Sequence, residues 1–326
     1  MAAAEPEARH PVEDANAEGL FGGLTREQFY EKHNIIHHES FMQNKRGMNI
    51  FTQSWHPKDT PLKGLVGVVH GFTGSANWFV QLTAVSIAKQ GFCAYALDHQ
   101  GHGLSDGLRA HIPDINPVVD DCIQFFDSAR DSNPGLPAFL YSESLGGAIA
   151  LLIHLRQRDA WTGAVLNGAM CGISARFKPP WPLEHLLSVV AWVVPTWQIV
   201  PTKAIPNVSF KVEWKRELAI KDPHRSMSRP RAATGLELLR ICRELQSRFS
   251  EVVLPLLIVH GSDDVVCDPE CVRALYDKAG SADKTLRVHE GLWHQLVGES
   301  KEDVDKVFGE VYDWLRDRAE KAKQPE

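Results

Sequence analysis

Between residues 64 and 70 the chain reads Gly64-Leu65-Val66-Gly67-Val68-Val69-His70, an unbroken apolar run of the kind a strand shows when both faces are covered. Similar runs recur at residues 92–97, 137–141, 163–167 and 254–260, with a more mixed one at 285–289. Between them lie stretches whose apolar positions repeat at helical spacing, at 76–89, 115–129, 145–158, 269–279 and 301–321. Upstream, residues 34–41 and 48–55 are strand-like and the polar 43–47 joins them, which predicts an antiparallel hairpin at a sheet edge. Such alternation predicts an α/β protein with a mostly parallel, doubly wound sheet, and it puts ligands at the carboxyl ends of the strands.

One stretch breaks the rhythm. Residues 174–235 carry Lys178-Pro179-Pro180-Trp181-Pro182, an apolar segment at 186–194, then Pro195, Pro201 and Pro206, and a segment bearing lysine and arginine at 211–231. Inserted between core strands and holding Trp181, Trp192, Trp197 and Trp214, this stretch predicts a cap over the active-site edge. Its apolar face offers walls for an acyl or aromatic pocket, or peripheral contact with a membrane surface. The expected division is a flexible tail at 1–24, a core at 25–173 and 236–326, and a cap at 174–235.

Composition narrows the function classes. Hydrophobic and charged contents of 44% and 23% are those of an ordinary globular protein, and no run reaches the ~18 apolar residues of a spanning helix. A net charge of −6 without a basic stripe gives no basis for nucleic-acid binding. The first residues lack both the basic start and the apolar centre of a secretory signal, and the six cysteines form no Cys-x-x-Cys pair. Reduced thiols and a cytoplasmic location are therefore expected, with no pattern that fixes an oligomeric state.

The chemistry centres on Leu140-Tyr141-Ser142-Glu143-Ser144-Leu145-Gly146-Gly147-Ala148, where an apolar run ends in small residues and a helix pattern begins. Ser144 at that turn would project its hydroxyl from the carboxyl edge of the sheet, as in Gly-x-Ser-x-Gly, with Ser142 replacing the first glycine. A serine hydroxyl needs a base to activate it and an acid to orient the base, each on a loop after a later strand. The loop after 254–260 holds Asp263, Asp264 and Asp268, and the loop after 285–289 holds His294. Asp268 before Pro269 reads as a helix N-cap, whereas Asp263 and Asp264 are not separable on physical grounds. Oxyanion donors are expected from the backbone N–H of Leu145 and, in the loop His70-Gly71-Phe72-Thr73-Gly74, of Phe72. Thr73, Glu143, Trp181, Trp192 and Trp293 are candidates for the substrate pocket.

Taken in order, five blocks resemble the monoacylglycerol lipase and lysophospholipase group of α/β-hydrolases. They are the 70–74 loop, Asp98-His99-Gln100-Gly101-His102-Gly103-Leu104-Ser105-Asp106-Gly107, the Ser144 turn, His260-Gly261-Ser262-Asp263-Asp264-Val265-Val266-Cys267-Asp268-Pro269, and Trp293-His294. The likeness spans about residues 29–315 and is strongest to the plant branch with the caffeoylshikimate esterases. The resemblance implies an α/β-hydrolase fold with a helical cap, a carboxylic-ester hydrolase working through an acyl-serine, and no metal or organic cofactor. It implies Asp264 as the acid, four residues after His260. Small-molecule esters, acylglycerol- or lysophospholipid-like or aromatic, are the implied substrates. Acyl transfer through the same intermediate, or slow or absent turnover in a ligand receptor of the same fold, are the alternatives. His154 and Asp159 have the spacing of an acyltransferase motif but fall within and at the end of a predicted helix.

Overall fold

The computed structural model describes residues 9–173, 183–200, 204–227 and 229–323. Its centre is an eight-stranded sheet of order β1-β2-β4-β3-β5-β6-β7-β8. The strands are β1 (Ile35–Gln43), β2 (Asn49–Pro57), β3 (Gly64–Val69), β4 (Phe92–Leu97), β5 (Ala138–Glu143), β6 (Gly163–Asn167), β7 (Leu256–Gly261) and β8 (Lys284–His289). β1 pairs antiparallel with β2, and β2 with β4, while the strands from β4 through β8 run parallel. The expected edge hairpin and parallel core are both present. Every residue of β3, β4, β5, β6 and β7 is buried, which is why those runs lack polar alternation.

Helices cover both faces. Among the described residues the α-helices are α1 (Arg26–Lys32), α2 (Phe79–Lys89), α3 (Asn116–Asp131), α4 (Leu145–Arg156), α5 (Leu183–Val193), α6 (Ile205–Ser209), α7 (Glu213–Ile220), α8 (Ala232–Arg248), α9 (Pro269–Lys278) and α10 (Lys301–Lys323). One apolar layer joins the sheet to α3, α4, α8 and α9, and the other joins it to α1, α2 and α10. α4 is buried almost all round, as its largely apolar sequence requires.

Three expectations change here. The N-terminal stretch folds onto the core from residue 9 onward: Val12 and Leu20 are buried, and the His10 ring lies 4.3 Å from that of Phe308 while its Nε2 reaches Thr83 Oγ1 at 3.2 Å. Sparse apolar residues among alanines and glutamates give no periodic signal, yet they suffice to dock a short segment. α8 runs through residue 235, so the expected end of the cap falls inside a helix. Trp192 is 85% exposed and is not a pocket residue. On α5, Leu187 and Ala191, one helical turn apart, pack with Ala232 and Leu239 of α8, and Trp192 lies about 100° further round the helix. Trp181 lies outside the described residues.

The chain crosses from β5 into α4 with little clearance. A Cβ on Gly146 would sit 2.2 Å from the Val69 carbonyl oxygen at the end of β3. Gly146→Ala is expected to destabilise the protein by about 1–3 kcal/mol, since a backbone carbonyl cannot yield as a side chain can, and a thermal or urea melt against the native chain measures this.

Candidate active site

Ser144 adopts φ 54° and ψ −119° between β5 and α4, a backbone state that non-glycine residues rarely hold. Neighbours secure it: Ser144 N–H donates to the Asn167 carbonyl at 3.2 Å, and its own carbonyl accepts from Met170 N–H at 2.8 Å. Gly71 gives access from the other side, because a Cβ there would stand 3.0 Å from Ser144 Cβ. Ser142 is fully buried and its hydroxyl donates to the Val165 carbonyl at 3.1 Å, a bond between β5 and β6 that glycine could not make.

His294 reaches Ser144 from the loop after β8. Its Nε2 lies 3.0 Å from Ser144 Oγ, and its Nδ1 lies 2.7 Å from Asp264 Oδ2. A carboxylate only accepts, so Nδ1 carries the hydrogen and Nε2 is left to accept from the serine hydroxyl. The other Asp264 oxygen accepts from Val266 N–H at 2.8 Å and Cys267 N–H at 2.9 Å. Burial pushes the Asp264 carboxyl upward, but His294 and His260 beside it outweigh that and hold it well below the usual carboxylate range. Asp263 is exposed and accepts from Ser262 Oγ at 3.0 Å, and Asp268 caps α9 by accepting from Glu270 N–H at 3.0 Å.

The two expected oxyanion donors border the same space. Leu145 opens α4, where the first N–H groups have no intrahelical acceptor, and Phe72 N–H has no backbone acceptor among the described residues. Phe72, Leu145 and Glu143 line the cavity in front of Ser144. Glu143 accepts from Tyr141 OH at 3.0 Å, and burial pushes its carboxyl up. Thr73 works differently from a pocket wall: its carbonyl accepts from Ser226 N–H at 3.1 Å and its Oγ1 from Arg225 Nη1 at 3.4 Å, which ties the segment of residues 225 and 226 to the loop after β3. Trp293 borders a separate cleft beside Asp264, with Asn207, Val208 and Pro269.

The 98–107 block is loop architecture. Asp98 is completely buried, its Oδ1 accepting from Ala76 N–H at 2.6 Å and its Oδ2 from Leu104 N–H at 2.8 Å. Burial pushes its carboxyl up to about 7 against the pull of those two bonds. His70 and His99 stack with ring centres 3.9 Å apart, and burial lowers both so that they stay neutral. His154 Nε2 accepts from Val253 N–H at 3.2 Å, which gives the histidine of the His154–Asp159 pair a structural use. Asp264, Cys267 and His294 bring ligand-type atoms within 4.8 Å of one another. The Asp264 oxygens and His294 Nδ1 are already bonded as described, and burial holds the Cys267 thiol well above its ordinary value, so the trio has the donor set of an acid–base pair beside a neutral thiol.

Two residues here escape sequence reasoning. His260, at the end of β7, brings its Nε2 to 3.1 Å from Asp264 Oδ2, off the line of an ideal hydrogen bond. Glu299 is fully buried and its Oε1 accepts Trp293 N–H at 2.5 Å, bracing the backbone next to His294. Lys215, buried, donates to the Val297 and Glu299 carbonyls at 2.9 and 2.7 Å, and Gln295 N–H donates to the Ser209 carbonyl at 3.0 Å. Helices α6 and α7, in the inserted stretch, therefore support the loop that carries the histidine. The only sequence signal is proximity: one residue lies four before Asp264, the other five after His294.

Comparison with known proteins gives a consistent picture. A family model described as serine aminopeptidase, S33, matches residues 60–301. Caffeoylshikimate esterase of Arabidopsis thaliana is 32% identical over 306 residues, covering 93% of this chain and 92% of its own. Monoglyceride lipase of Homo sapiens is 29% identical over 276 residues, covering 84% and 89%. Among solved structures, a soluble variant of monoglyceride lipase from Saccharomyces cerevisiae aligns with a TM-score of 0.76 at 20% identity, covering 89% of this chain and 96% of that one. The Paleococcus ferrophilus monoacylglycerol lipase aligns at 0.71 with 23% identity, covering 82% and 99%. At these identities the structural matches speak for the fold, which is that of the α/β-hydrolases.

Fluorophosphonate labelling of the protein tests this support without reference to any substrate. Glu299→Ala is expected to slow labelling by about tenfold or more, and Glu299→Gln, which keeps an acceptor for Trp293 N–H, by less. Equal rates in all three proteins would show that the brace has no bearing on the histidine.

Proposed function

Since this chain belongs to the serine aminopeptidase S33 family of α/β-hydrolases and is a carboxylic-ester hydrolase, we propose that Ser144 is its nucleophile, His294 its general base and acid, and Asp264 the residue that orients the histidine. The observation that carries this reading is the continuous path from Ser144 Oγ through His294 to Asp264, at 3.0 and 2.7 Å. In the first half-reaction Ser144 Oγ attacks the acyl carbon while His294 Nε2 takes the hydroxyl proton. The tetrahedral intermediate collapses with transfer of that proton to the leaving alkoxide, which departs as the alcohol. Water then enters, gives its proton to the same nitrogen, and attacks the acyl-enzyme. The acid leaves as Ser144 recovers its proton. Asp264 stays ionised throughout, holding Nδ1 as the donor and stabilising the imidazolium.

Negative charge on the oxyanion is met by the N–H groups of Leu145 and Phe72, each contributing about 3 kcal/mol to the transition state. Small-molecule esters are the substrates, and the names of the relatives support acylglycerols and hydroxycinnamoyl esters as the panel to test first. The residues 174–235 act as a cap, and α5 supports peripheral membrane contact in this reading: Leu186, Val189, Trp192 and Val193 are all exposed on one short helix. No helix among the described residues is long and apolar enough to cross a membrane. The buried thiols of Cys93, Cys122, Cys171 and Cys267 support a reducing, cytosolic location.

Ser144→Ala is expected to abolish turnover of p-nitrophenyl butyrate and fluorophosphonate labelling together, and His294→Ala to lower kcat about 10⁴-fold or more, because the residues act as a unit. Retention of native turnover in Ser144→Ala would refute the assignment. Product analysis with and without an added alcohol separates hydrolysis from acyl transfer. In a sedimentation assay with phosphatidylcholine vesicles, Trp192→Ser together with Val189→Ser is expected to reduce binding about tenfold or more, whereas unchanged binding would remove α5 from the contact.

A further inference from the structure

Strand β5 ends in Tyr141, Ser142 and Glu143, directly before Ser144. Side chains alternate along a strand, so Tyr141 and Glu143 stand on one face of the sheet and Ser142 on the other. On its own face Ser142 bonds to β6 through the Val165 carbonyl. The opposite face carries a carboxyl group in the residue next to the nucleophile, buried and on the lining of the cavity that Ser144 also lines. A charge in that place is a hazard to the reaction. When a serine adds to an ester the carbonyl oxygen becomes an anion, and a carboxylate free to turn toward it raises the energy of the state that the oxyanion donors lower.

The carboxyl is not free. Tyr141 OH donates to Glu143 Oε1 at 3.0 Å, and Asn167 Nδ2 donates to Tyr141 OH at 2.5 Å. Asn167 is the residue of β6 paired across from Glu143, and its carbonyl accepts the Ser144 N–H at 3.2 Å. The direction of this chain follows from its ends: the phenol oxygen accepts from the amide, so the phenol hydrogen is committed to the carboxyl. Tyr141 is completely buried, with its ring centre 6.4 Å from that of Phe308. Packing of that kind needs only a phenyl ring, which leaves the hydroxyl to be explained by the chain it completes.

The charges around Glu143 come from three sides. Burial pushes its carboxyl up, and Tyr141 on its own strand, His294 from the loop after β8 and Arg225 from the inserted stretch act against that. Asp222 lies in the field of Arg225, and Tyr312 of α10 in that of Tyr141. Burial holds both tyrosines in the neutral form, so neither adds a charge of its own.

We propose that Tyr141 is a positioning residue for the reaction: its hydroxyl, seated by Asn167, holds the Glu143 carboxyl along β5 and away from the oxyanion that forms at Ser144. The proposal rests on Ser144 as nucleophile and gives a use to the hydroxyl three residues before it.

The test is a double-mutant cycle of Tyr141→Phe and Glu143→Gln, read as kcat/KM for p-nitrophenyl butyrate between about pH 5.5 and about pH 8.5. Each protein is counted by the serine that a fluorophosphonate labels at completion. Phenylalanine fills the space of the ring and removes only the hydroxyl. With Glu143 present, Tyr141→Phe is expected to cost little at the acid end, where the released carboxyl is neutral, and about tenfold or more at the alkaline end, where it is charged. The ratio to the protein with Tyr141 at each pH is the readout, so the titration of a base common to both drops out. With Glu143→Gln already in place, the same substitution is expected to cost less than about twofold at every pH, since the amide carries no charge. Molecules that do not label are not counted, so a loss of folded protein does not mimic this pattern. A deficit equal at every pH, a deficit unchanged by Glu143→Gln, or no deficit at all overturns the proposal and leaves the hydroxyl as a core contact. Absence of labelling and turnover in the native protein would instead remove the reading of Ser144 on which it rests.

Discussion

A carboxylate kept ionised in the interior is the interaction on which the site depends. Taking Asp264 out of water is costly, and the cost is offset only because two backbone N–H groups point at one of its oxygens while His294 and His260 stand at the other. That arrangement fixes the loop after β7, fixes which histidine nitrogen carries the hydrogen, and so leaves the other nitrogen directed at Ser144. The serine, in turn, is held in an unfavourable backbone state by bonds to Asn167 and Met170. The site is therefore built from loops at the ends of β5, β6, β7 and β8, and the parallel sheet is what brings residues 144, 264 and 294 together.

The loop bearing His294 is not a free-standing element. Glu299 holds the peptide before the histidine, Lys215 of α7 holds two carbonyls beyond it, and Ser209 of α6 holds Gln295. Burying Glu299 with only part of its bonding capacity met is a stability cost in itself. Such a cost is often found where geometry has to be kept for function. Through these contacts α6, α7 and the loop of His294 share one set of supports, so the position of these helices and the reach of His294 are physically linked.

Much of the fold is legible in the chain because the buried parallel strands have no polar face to obscure them. The runs at 64–70, 92–97 and 254–260 match β3, β4 and β7 closely, and the order serine, acid, histidine follows from their sequence. The choice between Asp263 and Asp264 is not legible from local pattern, since adjacent residues share a loop and differ only in which one turns inward. Trp192 illustrates the converse: an aromatic residue in an apolar helix signals burial, but only the partner helix α8 decides which face is covered. Glu299 and His260 are hidden for a related reason: their meaning lies in which atom of a neighbouring loop each side chain turns toward, Trp293 N–H and Asp264 Oδ2, and that leaves no periodic trace.

The continuity of α8 bears on how such proteins can be recombined. Its first turns carry Ala232 and Leu239 against α5, and its last turns carry Leu245 into the sheet-covering layer, so the α5 segment and the core are joined there by a stiff rod and not by a loop. A graft of the inserted segment onto a relative that ends at residue 235 would cut the rod within its first turn and leave its hydrogen-bond ladder to two unrelated sequences. The natural splice lies before Ala232 or beyond Arg248, and a transplanted segment keeps its seat only if the helix travels whole.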